Sequence, residues 1–211
     1  MKVFGIGFQK TGTKSLNRFF RSVGFRSIHW PHSVNGVNYE KMCGTCLTSK
    51  KLVVDTLAPV IESHDAFTDV PFPALYTELH RRYKESRFVL VTRDSDQWWE
   101  SVARHWQLKN RRTRRLDPYE YLQYNNYASS ELSVVSAKDR VLLQNIHRQH
   151  VDEVLSFFVN YSDQLLAIDL SDPNKAEKLS EFLELDSRNP YPNVKRKSPS
   201  HGPPSMRRWR P

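Results

Sequence analysis

Lys2-Val3-Phe4-Gly5-Ile6-Gly7-Phe8-Gln9-Lys10-Thr11-Gly12-Thr13-Lys14-Ser15-Leu16 reads as a short apolar strand, a turn interrupted by glycine, and the start of a helix. A helix N-terminus fed by such a turn is an anion site. Its free backbone N–H groups and the positive end of the helix dipole converge on one point. Thr11, Thr13 and Ser15 add hydroxyl donors, while Lys10 and Lys14 add positive charge. The group these residues suit is a phosphate or a sulfate.

Two familiar phosphate motifs do not fit the stretch. Gly7 and Gly12 have the spacing of a G-x-x-x-x-G-K-[ST] loop, but Thr13 stands where the lysine is required, and Lys14-Ser15 follow one residue late. The dinucleotide pattern G-x-G-x-x-G fails because Gly5-x-Gly7 is followed by Lys10. What remains is Gln9-Lys10-Thr11-Gly12-Thr13-Lys14-Ser15-Leu16, with its lysine ahead of the second glycine. This resembles the 5′-phosphosulfate loop of sulfotransferases that use 3′-phosphoadenosine 5′-phosphosulfate (PAPS). It is similar to the loop of the heparan sulfate N-sulfotransferases and of the soluble sulfotransferase branch. Many members carry a second threonine where Lys14 stands; a lysine there still favours an anion.

Arg87-Phe88-Val89-Leu90-Val91-Thr92 is an apolar, β-branched run that reads as a buried parallel strand. Arg93 to Gln97 turn the chain, and Trp98 to Gln107 continue as a helix capped by Ser95 or Asp94. Alone, an arginine after a strand is an exposed end-cap. The resemblance implies instead that Arg93 and Ser101 hold the 3′-phosphate of PAPS. Arginine suits the task because its fork offers parallel donors and stays charged.

Asp65-Ala66-Phe67-Thr68-Asp69-Val70-Pro71-Phe72 leads into a helix predicted over Ala74 to Tyr83, with Pro71 well placed at its start. The resemblance makes Asp69 the base toward the acceptor hydroxyl; local chemistry alone makes it equally a helix N-cap. His29, His32 and His64 are alternative bases, since other sulfotransferase branches use histidine.

The resemblance runs from Met1 to about Asn193, through a long helix from Asp139 to Phe158, a strand from Leu165 to Leu170 and a closing helix from Lys175 to Leu185. Alternating strands and helices predict a three-layer, P-loop-like α/β fold with a mainly parallel sheet of about five strands. They are placed near residues 3–7, 26–29, 66–69, 88–92 and 165–169. Lys10, Asp69 and Arg93 each follow one of them, so they converge on the rim beyond the carboxyl ends.

With 211 residues, 38% hydrophobic and 12% aromatic, the chain can bury one core and is not a disordered polymer. No apolar stretch approaches the ~20 residues of a membrane span. The N-terminus enters a core strand directly, so no signal peptide is expected and a cytoplasmic location is. The expected division is a catalytic domain over 1–186 and a proline-rich basic tail over 187–211.

Net charge is +9, and the tail holds Arg188, Lys195, Arg196, Lys197, Arg207, Arg208 and Arg210 with no acid. By resemblance, Lys195 and Arg196 fold over the bound nucleotide. A second run, Lys109 to Arg115, is read as bordering the acceptor cleft. Neither run has a recognition-helix motif or an aromatic platform beside it, so nucleic acid is not expected as the partner.

His29, His32, Cys43 and Cys46 have the residue types of a tetrahedral zinc site, but their order is unusual and sulfotransfer needs no metal. Free thiols are the default for two cysteines in a reducing compartment. The expected activity is transfer of the sulfuryl group from PAPS to a hydroxyl or amine of a small-molecule or glycan acceptor. The competing classes are a P-loop-type kinase, which would need magnesium, and a non-catalytic nucleotide- or polyanion-binding module. Acceptor choice is placed in irregular segments, residues 30–60 and 105–135. There Tyr119, Tyr121, Tyr124 and Tyr127 either line an aromatic pocket or pack in the core.

Overall fold

The computed structural model describes residues 1–110, 112–185 and 191–192. In chain order it contains β1 (Val3–Gly5), α1 (Thr13–Ser22), β2 (Ser27–His29), the hairpin strands β3 (Ser33–Val34) and β4 (Val37–Asn38), α2 (Tyr39–Cys43) and α3 (Lys50–Ser63). Then follow β5 (Ala66–Thr68), α4 (Phe72–Arg82), β6 (Arg87–Thr92), α5 (Ser95–His105), β7 (Arg114–Arg115) and α6 (Pro118–Asn125). The chain continues through β8 (Val134–Val135), α7 (Arg140–Phe157), β9 (Leu165–Asp169) and α8 (Lys175–Phe182).

The central sheet has the order β2-β5-β1-β6-β9, and every pairing in it is parallel. Residues along a strand alternate between faces, and β6 shows what that does to the core. Val89 and Val91 face Leu16, Phe19, Phe20 and Leu179, the inner side of α1 and α8. Phe88 and Leu90 face Val53, Leu57, Leu75 and Leu79 of α3 and α4, with Val154 of α7. Both faces are therefore covered, which is why the strand is apolar throughout. A large side chain such as Phe88 contributes about 1.5–3 kcal/mol by its burial alone. A further cluster of Phe8, Trp98, Tyr124, Leu143 and Ile146 packs α5, α6 and α7 beyond the end of β1.

The five predicted strands are present and the sheet is parallel, with strand ends shifted by a few residues. The helix expected from Trp98 begins at Ser95, because Asp94 is its cap and accepts from the Gln97 N–H at 2.9 Å. The helix expected from Ala74 begins at Phe72. The segments read as irregular, 30–60 and 105–135, contain α2, α3 and α6. Pro59 lies inside α3 but on its exposed side, away from the buried Val53, Val54, Leu57, Val60 and Ile61, so the ladder bond it removes is lost on the solvent face. α6 is nucleated by a capping box between Asp117 and Glu120. Among the described residues, no helix is long and apolar enough to cross a membrane.

Candidate active site

β1 delivers the chain into the loop at Gly7, where a Cβ would lie 2.5 Å from the Val91 carbonyl oxygen of the neighbouring strand. Only glycine allows the two backbones to come this close. Lys10 and Gly12 then take left-handed conformations, φ 72° and 97°, and Gly12 is the N-cap of α1. No side chain caps that helix and no acidic residue stands in its first turn. The start of α1 therefore has no side-chain or acidic partner for its dipole, a local chemistry that suits an anion.

The loop's carbonyls are tied away from this anion site. Ile6 O accepts from His150 Nε2 at 2.7 Å, and Phe8 O accepts from Thr11 Oγ1 at 2.7 Å. Gln9 O accepts from Trp98 Nε1, and Lys10 O from Arg93 Nη1, each at 3.0 Å. The Gln9 side chain is buried as well: its Nε2 donates to Tyr124 Oη at 2.8 Å and its Oε1 accepts from Gln123 Nε2. His150 donates through Nε2, so its Nδ1 accepts the Tyr127 hydroxyl at 2.6 Å. Complete burial holds this imidazole neutral, with its pKa pushed down to about 3.

Asp69 follows β5, as Lys10 follows β1, with φ 74° ahead of a cis Val70–Pro71 bond. Its Oδ1 accepts from the Val70 N–H at 2.9 Å. Its Oδ2 accepts from Thr13 Oγ1 at 3.2 Å and lies 3.1 Å from His29 Nε2. α4 starts after Pro71 with no side-chain cap, and it is the Asp69 carbonyl that receives the Phe72 N–H. The carboxylate is therefore turned to the loop and does not cap the helix.

His29 ends β2, opposite Thr68 in the register, and its Nδ1 lies 3.0 Å from Thr68 Oγ1. Burial lowers its pKa, with Asp69 opposing and Lys14 and Lys10 adding to the effect. A neutral ring with the proton on Nε2 satisfies both contacts: it donates to Asp69 and accepts from the Thr68 hydroxyl.

A family model of the sulfotransferase domain matches residues 2–199. The chain belongs to the sulfotransferase domain family. It is similar in fold to the sulfotransferase from Alicyclobacillus acidocaldarius, one of 23 matching chains of solved structures. The TM-score is 0.54 at 13% identity, covering 94% of this chain and 86% of the other. Comparison with curated proteins gives no match.

Around the sulfotransferase loop the structure sorts the remaining candidates. Thr13 joins Asp69, Lys14 is exposed and Ser15 half-buried on the first turn. Thr11 is buried, and its hydroxyl and N–H both go to Phe8 O, so its side chain shapes the turn and does not face an anion. Arg93 is half-buried against Lys10 O, and burial, aided by Arg104, lowers its pKa. Ser101 lies farther along α5, about 9 Å from Ser95 by helical rise, and is half-buried. Lys195 and Arg196, and the boundary between residues 186 and 187, lie outside the described residues.

The other proposed bases are engaged elsewhere. His64 precedes β5, and so stands at the opposite end of the sheet from Asp69, with its Nδ1 2.9 Å from Val60 O. His32 Nδ1 pairs with buried Glu40 at 2.5 Å. The zinc grouping is not assembled. His29 faces Asp69 and His32 faces Glu40, while Cys43 is buried with its thiol pushed up to about 12. Among the described residues no three His, Cys, Asp or Glu side chains are placed to hold a metal. Tyr119, Tyr124 and Tyr127 are core residues whose hydroxyls engage Pro31 O, Gln9 and His150, and Tyr121 packs at the edge of their cluster.

Sequence reasoning missed the supports of the loop: Gln9, Trp98, Tyr124 and His150. A buried glutamine inside a phosphate-type loop leaves no mark that one sequence can show. Its partners are 89 to 115 positions away.

Proposed function

We propose that this sulfotransferase takes its sulfuryl group from PAPS and passes it to a hydroxyl or amine by in-line displacement. The observation that carries the reading is the placement of Asp69 and Arg93 on opposite flanks of Lys10. β5 and β6 are the two neighbours of β1, so the three residues leave adjacent strands at the same rim. This layout suits in-line transfer, with the acceptor approaching from the Asp69 side and the nucleotide held on the Arg93 side of Lys10.

The residues present fit such a donor: an uncapped helix N-terminus, lysines at the loop, and an Arg93 Nε that is buried with no hydrogen-bond partner. Lys10, Gly12, Thr13, Lys14 and Ser15 hold the 5′-phosphosulfate, and Arg93 with Ser101 holds the 3′-phosphate. PAPS supplies a sulfuryl group whose bond to the phosphate oxygen breaks as the acceptor–sulfur bond forms. Lys10 neutralises the charge that gathers on that phosphate oxygen. Asp69 takes the acceptor proton on Oδ2, and His29 and Thr13 aim that oxygen.

Thermal stabilisation by adenosine 3′,5′-bisphosphate, against AMP and ATP–Mg²⁺, tests the donor. A shift confined to the bisphosphate supports it, and a shift with ATP–Mg²⁺ alone refutes it in favour of a kinase. Asp69→Asn is expected to keep bisphosphate binding and lose about 10²–10⁴-fold in kcat. Lys10→Ala is expected to cost about 3–4 kcal/mol in the transition state. Turnover is expected to persist in EDTA.

A further inference from the structure

Arg93 does more in this structure than stand at the end of a strand. One guanidinium nitrogen, Nη1, donates to Lys10 O at 3.0 Å, across 83 residues of sequence. Lys10 is the loop residue with a left-handed, non-glycine backbone, φ 72°. An L-residue stays in that region only where its surroundings hold it. The remaining edge of Arg93 has another environment. Its Nε is buried with no partner, and Arg93 lines a cavity of about 510 Å³ between the end of β6, the start of α5 and α7. Ser95 and His147 line the same cavity, and Ser95 Oγ and His147 Nδ1 are also buried without partners. His147 is 3% exposed. Arg93 Nε can only donate, whereas Ser95 Oγ and His147 Nδ1 can donate or accept. Asp94, Asp96, Asp152 and Arg148 also line the cavity, so it is the free edge of Arg93 that calls for an acceptor.

We infer that Arg93 couples the two phosphate positions of the donor, one edge of its fork fixing the Lys10 carbonyl while the other meets the 3′-phosphate. The inference rests on the donor reading above and deepens it. Binding at the 3′ side locks the guanidinium, and the locked guanidinium sets the backbone that presents the loop to the sulfuryl side. The 3′-phosphate thereby contributes to turnover as well as to affinity. A nucleotide lacking it leaves Lys10 less firmly set. Lysine cannot replace the residue, because a single ammonium head cannot span both partners.

The test uses the full chain with AMP as a probe of the 5′ side alone and adenosine 3′,5′-bisphosphate as a probe of both. Arg93→Lys, which keeps the charge, is expected to weaken AMP about tenfold, to keep part of the preference for the bisphosphate, and to lower kcat about tenfold at saturating PAPS. Arg93→Ala is expected to weaken AMP equally and to lose the preference. If both variants bind AMP within twofold of the parent and kcat is unchanged, Arg93 is a phosphate ligand only and the coupling is refuted. If the parent itself shows no preference for the bisphosphate over AMP, the donor reading fails instead. Should the alanine variant not fold, the lysine variant gives the same decision alone.

Discussion

Replacing His150 by phenylalanine isolates the contribution of one buried imidazole to the loop. The aromatic ring is kept, and with it the stack on Phe8, whose centroid lies 4.4 Å away at 28°. Two hydrogen bonds are lost, to Ile6 O and from the Tyr127 hydroxyl, and both partners are left buried. Each orphaned group costs about 1–3 kcal/mol, so the variant loses about 2–6 kcal/mol at pH 7.5. Adding Tyr127→Phe removes one orphan and returns about 1–2 kcal/mol. The pH dependence carries an independent signature. In the unfolded chain the imidazole titrates near 6.5, whereas in the fold burial holds it at about 3. Between these values the unfolded state binds the extra proton, so stability is complete above pH 6.5 and falls as pH drops toward 3. From pH 7.5 to 5 this amounts to about 2 kcal/mol for His150. His147, lowered to about 4 by the same cause, adds a similar loss. Urea unfolding at the two pH values measures both quantities. The variant should be less stable at pH 7.5 yet lose about 2 kcal/mol less on acidification. A parental acid slope in His150→Phe would refute the neutral, doubly bonded imidazole.

Three further outcomes follow from the same geometry. Gly7→Ala places a methyl 2.5 Å from the Val91 carbonyl oxygen and 2.8 Å from Thr11 Oγ1, so it should cost at least about 1–3 kcal/mol and weaken bisphosphate binding. Gly36→Ala, with nothing within 4 Å but φ 80°, should cost about 1 kcal/mol and leave binding unchanged. Trp98→Phe removes the donor to Gln9 O; urea unfolding should show a loss of about 1–3 kcal/mol, and calorimetry a weaker bisphosphate complex.

The elements that were legible in the sequence are those whose cause is local. Phe88 to Val91 read as a strand because both faces are buried and every residue is apolar. The Lys10–Ser15 loop was legible because its lysines, its turn glycine and the start of α1 are neighbours in sequence. α3 was not: residues 30–60 were read as irregular, and the helix from Lys50 to Ser63 keeps Pro59 on its exposed side, a placement only the fold decides. Asp69 was half legible: its position was plain, but whether its carboxylate caps α4 or faces Thr13 depends on a backbone turn at φ 74°. The hold of Trp98, Tyr124 and His150 on the loop was illegible, because tryptophan, tyrosine and histidine in amphipathic helices read as ordinary core. Only the packing of α5, α6 and α7 beyond the end of β1 brings their polar atoms to one loop.

The strand order β2-β5-β1-β6-β9 divides the rim into two sides about β1. His29 and Asp69 leave β2 and β5 on one side of the loop, and Arg93 leaves β6 on the other. If displacement runs across Lys10, the first side serves the acceptor and its proton, and the second serves the nucleotide. His29→Phe deletes the donor to Asp69 Oδ2 without touching the nucleotide side. It should lower kcat about tenfold or more, since a hydrogen bond to a carboxylate is worth about 1.5–3 kcal/mol. Bisphosphate affinity should stay within twofold. Arg93→Lys should do the reverse to affinity while leaving the pH profile of turnover in place. Stopped assays across pH, paired with calorimetric titration of the bisphosphate, separate the two sets of effects. Should His29→Phe weaken the bisphosphate as much as Arg93→Lys does, the two flanks are one site, and the transfer does not run across the loop in the direction the strand order suggests.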